Sequence, residues 1–474
     1  MNTLDALGNW TIHPGPLYRR LATAIKVAVL RGDLTPGTLL PAERQLAKQL
    51  AVGRSTVVGA YDLLRGEGVL QSRQGSGSWI AGADRMPASR TSVESLRGAA
   101  LTDVDSLIDL ATAVLPPARQ VREALASLAD SDIDALQSPN GYSVLGLHEL
   151  RQAVASRFSL DGLPTTADQI LVTTGGQQAL HLVTHQFLHT SDSALVEDPT
   201  SPGILDLLRN LPVGIRWSRS LSSSGAATVL EAMRRSNPAL VYLFACLGPE
   251  GLAANRVELR ELGRKLDGYE GVVVEDASSR HLAADPPPYL AAGCSASVVT
   301  IGSMSKLFWS GLRVGWIRAD PNVVLRLSRV KARYDLGTPL VSQHLATWLL
   351  ARLDAVRVER LEELRARAAH ARGVVGTVLP AFEITDGSEG ATLWLRLPHG
   401  ASGPFAELAR RHGVAVVSGS SLSASGLGDA FLRIAIGLPG PAFDDGIARL
   451  ADAWREYEAH GSSGLREGTD AILV

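Results

Sequence analysis

Near the middle of the chain the apolar run SVVTI leads into Gly302-Ser303-Met304-Ser305-Lys306, and Arg313 stands seven residues beyond the lysine. Two hydroxyls, a turn and a guanidinium are groups that can hold a phosphate monoester. A lysine in such arginine-flanked, largely apolar surroundings has its pKa lowered and becomes a nucleophile able to condense with an aldehyde. Two further strand ends carry matching chemistry. After ILVT, Thr174-Gly175-Gly176-Gln177-Gln178 opens an apolar helix, so that backbone N–H groups face outward as an anion site. After GVVVE comes Asp276, a carboxylate that can hold a protonated ring nitrogen.

Phosphate, aldehyde and pyridinium nitrogen each find a partner in this set, and pyridoxal 5'-phosphate carries all three. Taken singly, each signal has a plainer reading: a lysine after a strand is usually on the surface, and an aspartate at a strand end is usually a cap or turn residue. The ordered set is what argues for the cofactor. Lysine is scarce here: of 46 basic residues five are lysine, at 26, 48, 265, 306 and 331, and the rest are arginine. Lys26 and Lys48 fall on helices of a basic N-terminal head, Lys265 and Lys331 in polar helical stretches, which leaves Lys306 as the aldehyde-reactive candidate.

The elements that must position these residues read as an α/β fold. Short apolar strands are expected at 170–173, 194–197, 240–245, 271–275, 297–301 and 313–318, between amphipathic helices. That pattern implies a large, mostly parallel sheet covered on both faces, with binding residues at its strand ends. Beyond residue 375, ATLWLRL, VAVV, FLRIAI and a helix over 442–457 read as a smaller C-terminal α/β subdomain that brings Arg433 to the cleft. The Arg/Glu-rich stretch 352–372 reads as a solvated helix face, His281 as a structural histidine ahead of the alternative that it faces the cofactor, and GSSGLREGTDAILV as a mostly disordered tail. Cys246 and Cys294 read as buried free thiols, and the histidines show no metal-ligand spacing.

The first 81 residues hold nine basic and five acidic side chains, whereas the whole chain carries a net charge of −2. A small basic module is therefore joined to an acidic body. Residues 16–31 form an amphipathic helix closed by Gly32, Ala42–Leu50 a second, and 55–65 a third that buries Val57, Tyr61 and Leu64. VLQSRQGSGSWIA then forms a hairpin with its tip at Gln74-Gly75-Ser76-Gly77. Helix-turn-helix followed by a hairpin is a winged helix. The third helix would enter the DNA major groove with Arg54, Ser55 and Thr56, while Arg44 on the second faces the backbone. The expected division is a winged helix at 12–81, a linker at 82–107 and a body at 108–460.

LTPGTLLPAERQLAKQLAVGRSTVVGAYDLLRGEGVLQSRQGSGSWI resembles the DNA-binding domain of the GntR family of bacterial regulators. The body resembles fold-type I aminotransferases, and the order of the two is similar to the MocR subfamily. The resemblance implies DNA contact by Arg44, Arg54, Ser55, Thr56, Gln74 and Gly75. It implies a homodimer that binds pyridoxal phosphate, with Lys306 as the aldimine lysine and Asp276 on the ring nitrogen. Gly175, Gly176, Gln177, Ser303, Ser305 and Arg313 would surround the phosphate, Tyr142 would reach the phosphate of the neighbouring subunit, and Arg433 would grip the carboxylate of an amino-acid effector. The chain departs from the family pattern at Gly248, where an asparagine usually bonds the ring hydroxyl, at Ser278 and Ser279, where a tyrosine does, and at Ser201, where an aromatic lies near the cofactor. With the anchoring groups kept and the tuning groups thinned, the expected function is a transcriptional regulator that senses the cofactor, or an amine or amino acid condensed with it. The alternatives are a working aminotransferase with an appended DNA-binding head, and a body that has lost the cofactor and serves only for dimerisation. No apolar stretch reaches membrane-spanning length, no secretory signal opens the chain, and two cysteines fit a reducing cytoplasm.

Overall fold

The computed structural model describes residues 16–30, 34, 37–50, 52–66, 69–73, 77–81, 107–128, 140–294, 296–385, 387 and 389–466. In the head, α1 (Leu17–Leu30) precedes the short strand β1 (Leu39–Leu40), then α2 (Glu43–Leu50), α3 (Arg54–Gly66), β2 (Leu70–Arg73) and β3 (Gly77–Ile80). Leu21 and Ile25 of α1 pack on Val57, Tyr61 and Leu64 of α3, all fully buried. The Tyr61 hydroxyl donates to the Pro41 carbonyl at 2.7 Å, pinning α3 to the start of α2. β2 and β3 pair antiparallel from Leu70↔Ile80 to Arg73↔Gly77. β1 was not foreseen from sequence; it adds to the outer edge of β3, with Leu39 opposite Trp79. Gly32, Gln74 and Gly75, and all of the expected linker except Leu107, lie outside the described residues.

The body continues with β4 (Ile108–Asp109), α4 (Arg119–Ser127), α5 (His148–Leu160), β5 (Ile170–Thr173), α6 (Gly176–Phe187), β6 (Ser193–Asp198), α7 (Pro202–Arg209), β7 (Gly214–Arg219), α8 (Leu221–Ser236), β8 (Leu240–Leu243), α9 (Arg256–Lys265), β9 (Val272–Asp276), β10 (Val298–Ser303), β11 (Gly315–Arg318) and α10 (Pro321–Tyr334). Its seven-stranded sheet runs β5-β11-β10-β9-β8-β6-β7. All neighbours are parallel except β11, which is antiparallel to both β5 and β10. β7 was missed in the sequence because Arg216, Trp217 and Ser218 break the apolar run. It forms the sheet edge and is only partly covered. One face of the sheet packs under α6, α7 and α10 and the other under α5, α8 and α9, so the central strands are apolar on both sides.

After α11 (Leu340–Leu350) and the long α12 (Leu353–Val378), the chain forms β12 (Glu383–Ile384), β13 (Thr392–Arg396), α13 (Ser402–Arg411), β14 (Val414–Ala415), β15 (Val417–Ser418), β16 (Phe431–Ala435) and α14 (Gly440–Arg466). The small sheet has the order β12-β13-β16-β15, while β14 pairs in parallel with β4. Two sequence expectations change here. The last helix runs on to Arg466, so the first residues of the expected tail are helical. The charged helix is not simply solvated: Arg360 is 5% exposed and donates to the carbonyls of Leu307 at 3.0 Å and Phe308 at 3.3 Å. It thereby buttresses the turn that carries Lys306. Among the described residues no helix is long and apolar enough to cross a membrane, and no cluster of three metal-ligating side chains occurs.

Candidate cofactor and effector site

The sheet order explains why residues far apart in sequence meet. β11 lies between β5 and β10, so the turn after β5 and the turn after β10 flank the same antiparallel strand. Their approach depends on glycine. A Cβ at Gly315 would lie 2.8 Å from the Cα of Gly175, and one at Gly302 would strike the Trp316 indole. Gly175 itself has φ +124°, a conformation that side chains rarely adopt, and a Cβ there would sit 3.1 Å from Nη2 of Arg313. Arg313, also in the left-handed region, donates through Nη2 to the Thr174 carbonyl at 2.8 Å. Gly176 and Gln177 begin α6, and the Ser303 hydroxyl accepts from the Ser305 backbone N–H at 3.2 Å. The strand order therefore brings Gly175, Gly176, Ser303, Ser305 and Arg313 to one end of the sheet, at the N-terminus of α6. The Gln177 side chain turns away, donating to the Gly203 carbonyl at 3.1 Å, which leaves its backbone as the part aimed at an anion.

Lys306 follows β10 in a turn, and its Nζ donates to the Ala113 carbonyl at 2.7 Å. Burial is the main cause that pushes its pKa down to about 8, helped by the nearby Arg433 charge and opposed by Asp276. Those influences place lysine, aspartate and arginine within one electrostatic neighbourhood. Arg433 sits on β16, 8% exposed, with Nη2 donating to the Ala111 carbonyl at 2.8 Å. Its Nε is buried without a hydrogen-bond partner, and burial lowers its pKa to about 10 against the pull of Asp109. An unpaired donor on a buried cation is the kind of group that an incoming carboxylate would satisfy.

Asp276 ends β9, also 8% exposed. Its Oδ1 accepts from the Ser278 hydroxyl at 2.6 Å and the Ser278 N–H at 2.9 Å, and its Oδ2 accepts from the Tyr242 hydroxyl at 2.6 Å. Tyr142 is 59% exposed in the single chain. His281 sits among Asp161, Arg157, Arg280 and Arg357, and burial lowers its pKa to about 4. Burial thus keeps its imidazole neutral near pH 7. Cys246 is buried, its thiol pushed up to about 12 by burial, whereas Cys294 is only half-buried.

Three features escaped the sequence reading. The carbonyls of Ala111 and Ala113 have no side-chain signature. Tyr242 was legible in principle, as a polar residue inside LVYLFA opposite Val274 and hence on the face of Asp276. Lys331, read as a polar helical lysine, is fully buried. Its ammonium pairs with Asp335, which also accepts from Gln178, and Gln178 in turn accepts from the Thr174 N–H at 2.8 Å. The buried lysine thus supports the Thr174–Gly176 turn from behind.

In the head, Arg54 begins α3 with its side chain 59% exposed, Ser55 beside it is exposed and Thr56 half-buried. Glu43 lies 3.5 Å from Arg54 and 3.2 Å from Arg65, so part of the Arg54 charge is shared within the protein. Arg44 is exposed on α2.

A winged helix joined to an α/β body with a buried amine, a buried carboxylate and a glycine turn at a helix N-terminus defines a DNA-binding protein built on an aminotransferase fold. Residues 106–450 match the model of aminotransferase class I and II, and residues 17–80 that of the bacterial regulatory proteins of the gntR family. The chain belongs to the aminotransferase class I and II family, with a gntR-type head, the composition of the MocR-type regulators. It is 26% identical to the probable rhizopine catabolism regulatory protein MocR of Rhizobium meliloti, over 74% of this chain and 75% of that one. It is 27% identical to the pyridoxine biosynthesis transcriptional regulator PdxR of Corynebacterium glutamicum, over 77% and 79% respectively. Among solved structures it is similar to LysN, the α-aminoadipate aminotransferase of Thermus thermophilus complexed with N-(5'-phosphopyridoxyl)-L-leucine. There the TM-score is 0.67 at 26% identity, covering 78% of this chain and 97% of LysN.

Proposed function

We propose that this protein is a DNA-binding transcriptional regulator whose body binds pyridoxal 5'-phosphate and responds to it, or to an amine or amino acid joined to it. The observation that carries the reading is the convergence of Lys306, Asp276 and Arg433 in a chain that also holds a winged helix. The residues fit the cofactor: the Gly175 turn provides room that any Cβ would fill, Lys306 supplies a buried amine with lowered pKa, and Arg433 keeps an unpaired buried donor. In this reading Gly175, Gly176, the Gln177 backbone, Ser303, Ser305 and Arg313 hold the phosphate, Asp276 faces the ring nitrogen, and Tyr142 reaches the partner subunit's site in a homodimer. When bound, the cofactor supplies an aldehyde reactive toward primary amines. Lys306 offers the amine, Arg433 takes an effector carboxylate, and Arg44, Arg54, Ser55, Thr56 and the wing at Gln74 and Gly75 contact an operator.

The names of the MocR and PdxR relatives support regulation over metabolism as the role of the chain. Footprinting of the purified protein on the DNA upstream of its own gene, with and without pyridoxal phosphate, tests the reading. The expected result is a paired or repeated footprint that changes with the cofactor. A visible absorption band that disappears in Lys306→Ala is expected alongside it. Sustained turnover of an amino donor and a keto acid, with no cofactor effect on DNA binding, would overturn it.

A further inference from the structure

Two residues converge on the Asp276 carboxylate at the end of β9: Tyr242 is fully buried beside it and Ser278 follows it in the chain. Tyr242 is fully buried and its hydroxyl meets Oδ2 of Asp276 at 2.6 Å. A carboxylate can only accept, so the phenol must donate to Asp276. On the other side, the Ser278 hydroxyl and N–H both donate to Oδ1. A carboxylate offers about four acceptor positions, and three are taken. The one left is on Oδ2. Ser278 is one of the positions at which the chain departs from the aminotransferase pattern, and it bonds this aspartate.

We propose that Tyr242 and Ser278 act as positioning residues, a hydroxyl clamp that fixes the orientation of Asp276 and limits the negative charge it presents to the ring nitrogen of the cofactor. The inference rests on the cofactor reading given above. Its physical basis is that each donor draws charge from the carboxylate, so a fourth partner meets a weaker acceptor. Burial makes the effect large, since little water competes. Burial and the adjacent carboxylate both raise the Tyr242 pKa far above its ordinary value, which keeps the phenol protonated as a donor. A ring nitrogen held less firmly in its protonated form is a weaker electron sink, which suits a sensor more than a transaminase.

The test is a pH titration of the visible absorption band of the cofactor-loaded, full-length protein. Removing one donor would let Asp276 hold a protonated ring nitrogen more firmly, and the more firmly held ring charge would lower the pH at which the band titrates. The midpoint in Tyr242→Phe and in Ser278→Ala is therefore expected to fall by about half a pH unit or more, roughly threefold in the proton equilibrium. Ser278→Thr, which keeps the hydroxyl, is expected to retain the wild-type midpoint, and cofactor affinity in all three is expected to stay within about threefold of wild type, a change of well under 1 kcal/mol. Unchanged midpoints in both Tyr242→Phe and Ser278→Ala would overturn the clamp while leaving cofactor binding intact. No Lys306-dependent band in the wild-type protein would overturn the cofactor reading itself. A fall in thermal stability without a shifted midpoint would assign these hydroxyls to folding alone and also refute the inference.

Discussion

The lowered pKa of Lys306 makes a quantitative prediction about how the protein captures an aldehyde. Only the neutral amine attacks, and the amine titrates near 8 where an ordinary lysine titrates at 10.5. At pH 7 the neutral fraction is then about one in eleven, against roughly one in three thousand for an exposed lysine. The rate of pyridoxal phosphate capture, followed by stopped-flow absorbance, should rise about tenfold from pH 7 and level off above pH 9. Burial is the leading cause of the shift, with Arg433 second. Arg433→Met should accordingly move the midpoint upward without restoring the value of a free lysine. The same shift acts on folding. The folded state holds its proton less tightly than the unfolded chain, so the cofactor-free protein should gain stability as pH rises from about 8 to 10.5, by about 3 kcal/mol at most. Below pH 8 the full cost of burying the charged amine is present, and Lys306→Met should abolish the dependence. A capture rate that climbs tenfold per pH unit through pH 10 with no plateau would refute the argument.

Lys331→Met should destabilise the body by about 2 to 4 kcal/mol in urea unfolding, because it strands Asp335, and Lys331→Met combined with Asp335→Asn should recover at least half of that loss. Gly175→Ala forces a side chain into a φ of +124° beside Arg313, so cofactor affinity measured by equilibrium absorbance should fall about tenfold or more. Arg54→Ala should weaken specific operator binding by about 1 to 3 kcal/mol, whereas Arg44→Ala should lower affinity evenly across sequences and flatten its salt dependence, both read by gel shift. Tyr61→Phe leaves the Pro41 carbonyl without its buried donor and should cost the head about 1 kcal/mol in thermal unfolding.

Much of the site was legible because its chemistry sits in side chains at strand ends. Lys306, Asp276, Gly175 and Arg313 each occupy the boundary between an apolar run and a glycine- or serine-rich turn, a local pattern that period and composition reveal. The winged helix was legible for the same reason, since the apolar spacing of α1 to α3 and the alternation of β2 and β3 are local. What failed were judgements of burial. Lys331 and Arg360 occupy charged helical stretches that read as solvent-facing, yet both are almost wholly enclosed, because a long stem can be packed when its charged head finds a carboxylate or carbonyls supplied by remote segments.

Local residue order was enough to name a winged-helix head, an α/β body and a single lysine at a strand end, because capping, periodicity and turn chemistry are short-range. Which groups meet was settled by the strand order β5-β11-β10-β9-β8 and by the return of β16, which brings Arg433 beside a lysine 127 positions earlier. The carbonyls of Ala111 and Ala113 and the phenol of Tyr242 acquire roles only there. Hydrogen bonding and burial are properties of neighbours in space, and no spacing along the chain encodes them.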